Sequence, residues 1–256
     1  MSNSEILWQQ QDQIGFITFN RPEARNALTV DMYHQLAAIC ENPPEGIKTL
    51  VISGNGDKAF AAGTDISHFR AFKSAQQAID YEATMDEVLG KIESCPVPTI
   101  ASICGACTGG GAVIASACDI RIASHNIRYG FPIARTLGNC LSAANINRLN
   151  HLLGVGRVRE IIFTCRLIEA EEALAIGLVS EILPDPESLR TRSIELAEQI
   201  SNMAPLTLRS TKVIQQRLMQ GNQTDRDWIV KCYTSDDFKE GLDAFLSKRK
   251  PHWTGR

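Results

Sequence analysis

No apolar run in the 256-residue chain approaches the roughly 18 residues needed to span a bilayer. The opening "MSNSEILWQQ" has no basic segment followed by an apolar core, so no secretory signal and a cytoplasmic location are expected. Positive charge is not in excess either. Twenty-six Lys and Arg against 29 Asp and Glu leave a net charge of −3, which argues against nucleic acid or an anionic membrane as partner. The five histidines (His34, His68, His125, His151 and His252) show no HExxH or other paired spacing. One CxxC pair, Cys104 and Cys107, has no second CxxC or CxxH at zinc-site spacing, so no metal is expected. Neither GxGxxG nor GK[ST] occurs, which removes the usual dinucleotide and P-loop signatures.

What remains is an ordinary globular composition, 44% hydrophobic and 21% charged, of a length that suits one large domain or a domain with a helical appendage. The eight cysteines sit mostly in apolar stretches and read as reduced, buried small hydrophobes; Cys140 in particular reads as core, since no histidine partner lies near it in sequence. Short β-type runs, "IGFITFN" (14–20) and "TLVISG" (49–54), flank "LTVDMYHQLAAIC", whose apolar face recurs at helical spacing behind the possible caps Thr29 and Asp31. A long amphipathic helix is predicted over 74–94, stopped by "CPVP". "TIASI" (99–103) is a strand, and "CGACTGGGAVIASACDIRIAS" reads as a glycine turn, a short apolar helix and a strand at 120–124. This rhythm predicts crossover units and a helix-covered sheet. From about residue 140 the pattern is helical, apart from a short strand in "LVSEIL" (178–183). The expected division is an α/β core over 1–195 and a helical region over 196–256.

Two small-residue turns carry the chemistry. In "TGGGAV" three glycines open an apolar helix. The first N–H groups of a helix have no internal partner and carry partial positive charge, and glycine lets a ligand atom approach them. That is a recipe for holding a phosphate or a developing oxyanion, although an isolated GGG is more often a packing turn. The second turn, "AAGTD" (61–65), supplies a possible second donor.

Five segments in order, "ITFNRPEARNALT", "AFAAGTDI", "GACTGGGAVIASACDIRIAS", "AIGLVSEIL" and "AFLSKRKPHW", resemble the crotonase superfamily of enoyl-CoA hydratases, isomerases and related acyl-CoA enzymes. The resemblance runs nearly end to end. It implies an α/β fold, a spiral of ββα units with a helical C-terminal trimerisation region, assembled as a homotrimer or dimer of trimers. It further implies an acyl-CoA thioester as substrate, with coenzyme A as part of the substrate and no separately bound cofactor. The oxyanion-hole N–H groups would be those of Thr64 and Gly110. Ala24, Ala62, Gly63, Asp65 and Ile66, with Phe245 and Lys248 near the C-terminus, match positions that contact coenzyme A. Asp65 fits a loop-holding role better than catalysis.

The departures are as informative. Hydratases of this family use two glutamates around the attacking water. The matching positions here are Val113 and Ile133, and a third position, where some relatives keep an aspartate, is Leu141. Between Cys104 and Arg148 the only acid is Asp119, which matches a structural position at the start of a strand. Ordinary two-glutamate hydration is therefore undermined. Three readings follow: an enzyme whose proton chemistry comes from elsewhere, for instance a decarboxylation that forms the enolate without a base; a weak hydratase or isomerase; or a non-catalytic acyl-CoA-binding protein. Candidate polar groups are Arg135, Asn139, Cys140, His68 and Tyr81. Arg135 would pair with a substrate carboxylate, or stand as a solvated loop residue.

Overall fold

The computed structural model describes residues 4–256. A six-stranded sheet is built from β1 (Ile6–Gln11), β2 (Ile14–Phe19), β3 (Thr49–Gly54), β5 (Thr99–Ile103), β7 (Ile120–Ser124) and β9 (Glu181–Leu183), in that spatial order. β1 and β2 form an antiparallel hairpin and every later pairing is parallel. A second, three-stranded sheet is made of β4 (Ala59–Ala61), β6 (Ala106–Thr108) and β8 (Arg128–Gly130), also parallel. Each unit thus gives one strand to the large sheet and the next to the small one. A helix then follows: α2 (Ala75–Glu93) after β4, α3 (Gly110–Ala117) after β6, and the short α4 (Ile133–Thr136) after β8. This is the ββα repetition expected of the resemblance.

The expected strands and helices at 14–20, 49–54, 99–103 and 120–124, and at 74–94, appear within a residue or two. α1 (Val30–Glu41) is capped by Thr29, whose hydroxyl accepts from the Met32 N–H; Asp31 lies inside the first turn and is not the cap. Four strands carry no signal of their own. β1, "ILWQQQ", is a mostly polar edge strand, and β4, β6 and β8 have three residues each, too few to display a period of two. What read as a glycine turn at 105–108 is therefore partly β6.

Alternation along the large sheet splits the interior. Ile17, Phe19, Ile52, Ala101 and Ile103 face the main core with α1, α2 and α3. Ile14, Val51, Ile100 and Ile122 face the other way, onto Leu189 and Ala197 of α8 (Pro186–Ser201). Buried hydroxyls pin that helix to the sheet: Ser193 to Ser102 at 2.8 Å and Thr49 to Ser201 at 3.0 Å. α8 runs unbroken through residues 195 and 196. Asp119, at the start of β7, accepts from Thr99 N–H and Oγ1 and from Lys212 Nζ (2.6 Å) on α9 (Pro205–Met219), so it ties strand to helix. α5 (Ala143–Leu153), α6 (Val155–Thr164) and α7 (Ala170–Ala175) lead to β9; α10 (Arg226–Tyr233) and α11 (Asp236–Leu246) complete the C-terminal region. No described helix is long and apolar enough to cross a membrane.

Candidate functional site

The two small-residue turns end neighbouring strands of the small sheet, because β4 pairs with β6. Gly63 takes a φ of +116° and Gly109 a φ of +53° with ψ −121°, backbone that side-chain-bearing residues rarely adopt. Those conformations turn the chain away from β4 and β6 so that the two turns touch. A methyl group on Gly109 would lie 3.6 Å from the Gly63 Cα, and one on Gly110 3.0 Å from the Thr64 Oγ1. Leu28 flanks the first turn, donating to the Gly63 carbonyl and accepting from the Asp65 N–H, both at 2.8 Å. That parallel bridge uses the amides on either side of Thr64 and leaves the Thr64 N–H facing away from it. Gly110 is the first residue of α3, whose N–H cannot be satisfied within the helix. α3 is buried from Gly111 to Ala117, so its dipole acts in a poorly solvated setting.

Asp65 does not line the cavity described below. Its carboxylate accepts from the Ser67 N–H at 3.0 Å, capping the 3-10 turn Ile66–Ala71, and pairs with Arg21 at 3.0 Å. These bonds hold its carboxyl below the usual aspartate range, the Ser67 hydrogen bonds contributing most.

In front of the turns lies a cavity of about 370 Å³, a size that suits a small organic ligand. Ala62, Gly63, Thr64, Ile66 and Gly110 line it. So do Val113, Ile133 and Leu141, the three apolar residues that the resemblance sets at the acid positions, together with Tyr81, Asn139 and Cys140. The expectation that Cys140 is core is corrected: it is exposed, because the loop after α4 leaves the sheet and carries residues 137–140 outward. Arg135 is exposed and outside the lining. The side chain of His68 lies outside the described residues. Ala24 sits on the 3-10 turn Pro22–Ala24 before α1, Phe245 is 81% exposed on α11, and Lys248 follows that helix; none of the three lines the cavity.

Two groups in the cavity escaped the sequence reading. Tyr33, buried on the inward face of α1, places its hydroxyl 2.9 Å from Thr64 Oγ1, and Thr64 Oγ1 lies 3.2 Å from the Tyr81 hydroxyl. Burial pushes both phenols above their usual range, so both remain protonated hydrogen-bonding groups. The second is Glu82, half-buried on α2, the one carboxyl among the described lining residues, which include no Lys, Arg or His. Burial, and then the Asp86 carboxylate one turn away, raise its pKa. Glu82 could have been found: it stands in register with Met85, Leu89 and Ile92, the buried stripe of α2, where a carboxyl is out of place. Tyr33 could not, since an aromatic on an apolar helix face is ordinary core.

The fold and the cavity define a class: a spiral of ββα units in which two glycine turns converge beneath an acyl-sized cavity. A solved enoyl-CoA hydratase/carnithine racemase from Magnetospirillum magneticum shares this fold with a TM-score of 0.91 and 31% identity, over 100% of this chain and 97% of that one. The enoyl-CoA hydratase/isomerase family model matches residues 9–256, and the chain belongs to that family, within the crotonase superfamily. Similar proteins include a crotonyl-CoA hydratase from Syntrophomonas wolfei, 33% identical over the full length of both chains. A short-chain-enoyl-CoA hydratase from Clostridium acetobutylicum is 32% identical over 98% of this chain and 97% of its own.

Proposed function

We infer that the protein binds acyl-CoA thioesters and stabilises the thioester enolate between the N–H groups of Thr64 and Gly110, with acid/base chemistry other than that of two glutamates. The observation that carries the reading is the meeting of the two turns at one wall of the cavity. Two backbone donors aimed at one oxygen act where charge develops, and removing such a donor typically lowers the rate by about 10²–10³. Ala24, Ala62, Gly63, Asp65 and Ile66 would cradle coenzyme A. Phe245 and Lys248 would meet its nucleotide end, within a homotrimer or dimer of trimers built with the C-terminal helices.

Val113, Ile133 and Leu141 line the cavity, which supports reading them as apolar residues in place of the acids. Neither valine, isoleucine nor leucine transfers a proton, and hydration of crotonyl-CoA is expected to be more than about tenfold, or roughly 1.4 kcal/mol of barrier, slower than in a two-glutamate hydratase. Decarboxylation would need a cation for the substrate carboxylate. The described lining residues include none, and Arg135 stands outside them.

The test is calorimetric titration with a saturated acyl-CoA, together with infrared difference spectra of its thioester carbonyl. Saturable binding with a carbonyl stretch shifted to lower frequency is the expected result. No binding at millimolar concentration, or an unshifted carbonyl, would overturn the reading. Binding without turnover of any acyl-, enoyl- or malonyl-CoA thioester would mark a non-catalytic homologue.

A further inference from the structure

A thioester held in an oxyanion hole has an acidified Cα–H, and the cavity raises the question of what receives that proton. The chain of contacts on the oxyanion wall gives a direction. The Tyr33 hydroxyl lies against Gly110, Thr64 Oγ1 bonds Tyr33, and Tyr81 bonds Thr64. Tyr81 thus brings α2 against the oxyanion turns, and the next residue, Glu82, lines the same cavity. Three consecutive turns of α2 present Glu82, Met85 and Leu89 to the same cavity. Asp86, one turn on, is already engaged by Ser142 Oγ at 2.6 Å, at the cap of α5. Glu82 by contrast has no hydrogen-bond or ion-pair partner among the described residues, and no cation stands among the described lining residues. A half-buried carboxyl left without partners is expensive for the fold, and such groups gather at functional sites.

We propose that Glu82 is the proton-transfer group of this site, taking the α-proton of a bound acyl-CoA thioester and returning it; this rests on the oxyanion reading above. The Glu82 carboxylate accepts the Cα proton, the C–H electron pair forms the Cα–C double bond, and the carbonyl π pair moves onto oxygen between the Thr64 and Gly110 N–H groups. When the carbonyl re-forms, the Glu82 carboxylic acid gives the proton back to Cα. For a β,γ-unsaturated chain it gives the proton to Cγ, and the double bond moves into conjugation with the thioester. The balance closes with one carboxyl and no water, whereas hydration would need a second group to activate water. Met85, Leu89, Val113, Ile133, Leu137 and Leu141, which line the same cavity, suit an apolar acyl chain. The burial and like charge that raise the Glu82 pKa also make it a stronger base.

The experiment follows deuterium uptake at Cα of a saturated acyl-CoA in heavy water by mass spectrometry, with affinity measured by calorimetry on the same samples. Wild type and Glu87→Gln, a change at a 69%-exposed residue of the same helix, should exchange alike. Glu82→Gln should bind with unchanged affinity and exchange at least about 100-fold more slowly, the usual range for a positioned acid/base group. Glu82→Asp, which keeps a carboxyl one methylene farther away, should fall between. The proposal is overturned if Glu82→Gln binds and exchanges within about threefold of wild type, or if wild type binds and shows no exchange. Absence of binding by wild type would instead defeat the oxyanion reading on which the proposal stands.

Discussion

Replacing Gly110 by alanine tests how tightly the cavity wall where the two turns meet is built. The new methyl group would lie 2.0 Å from the Tyr33 hydroxyl oxygen, 3.3 Å from its ring carbon Cζ and 3.0 Å from Thr64 Oγ1. Tyr33 is 3% exposed and Thr64 is held by the Leu28 bridge, so neither retreats freely. Overpacking of this kind costs about 1–3 kcal/mol, partly offset by roughly 0.4–1 kcal/mol from the less flexible unfolded chain. Tyr33→Phe alone gives up one hydrogen bond, about 1 kcal/mol. The double variant removes the oxygen that the methyl group strikes while leaving the Gly110 backbone N–H in place. Urea unfolding of the four proteins should therefore show the double variant near Tyr33→Phe, with a favourable coupling of about 1–2 kcal/mol. Acyl-CoA affinity should fall in Gly110→Ala and recover in the double variant. Strictly additive stabilities, or a Gly110→Ala protein as stable as wild type, would refute the packing described for this wall.

Asp65→Asn keeps the cap, since an amide oxygen also accepts the Ser67 N–H, but loses the Arg21 ion pair and should cost up to about 1 kcal/mol at neutral pH. Because the Asp65 pKa is lowered in the fold, wild type's advantage is present above the ordinary aspartate range and fades as pH falls through the folded value, which urea midpoints at several pH values would show. Glu82→Gln has the opposite sign. The folded protein holds the Glu82 proton more tightly than the unfolded chain, so wild type loses stability relative to the glutamine variant as pH rises through the carboxylate range, and the variant melts higher at neutral pH. Arg148, 6% exposed on α5, makes two bonds to Glu93 (2.6 and 2.8 Å) and one to Asn145. Arg148→Ala strands a largely buried carboxylate and should cost about 3 kcal/mol in urea unfolding, much of it recovered by Arg148→Met with Glu93→Leu.

Much of this molecule is written locally. The strands at 49–54, 99–103 and 120–124 are short runs rich in apolar and β-branched residues because parallel strands are covered on both faces, and the helix at 75–93 repeats its apolar residues in turns. "AAGTD" and "TGGGAV" signal turns because only glycine tolerates the backbone that Gly63 and Gly109 adopt. Family membership was legible too, since it rests on the order of segments along the chain. The small sheet was not, because strands of three residues are specified by their neighbours rather than by their own pattern. Contact between the two turns, some 46 residues apart, depends on β4 pairing with β6. The meeting of Tyr33, Thr64 and Tyr81 depends on where α1 and α2 pack, and so does the entry of Glu82 into the cavity. The sequence alone determined the class and the absence of acids at positions 113, 133 and 141. Only the tertiary structure decided which acid stands in the cavity, because a side chain's chemistry depends on groups brought beside it from distant parts of the chain.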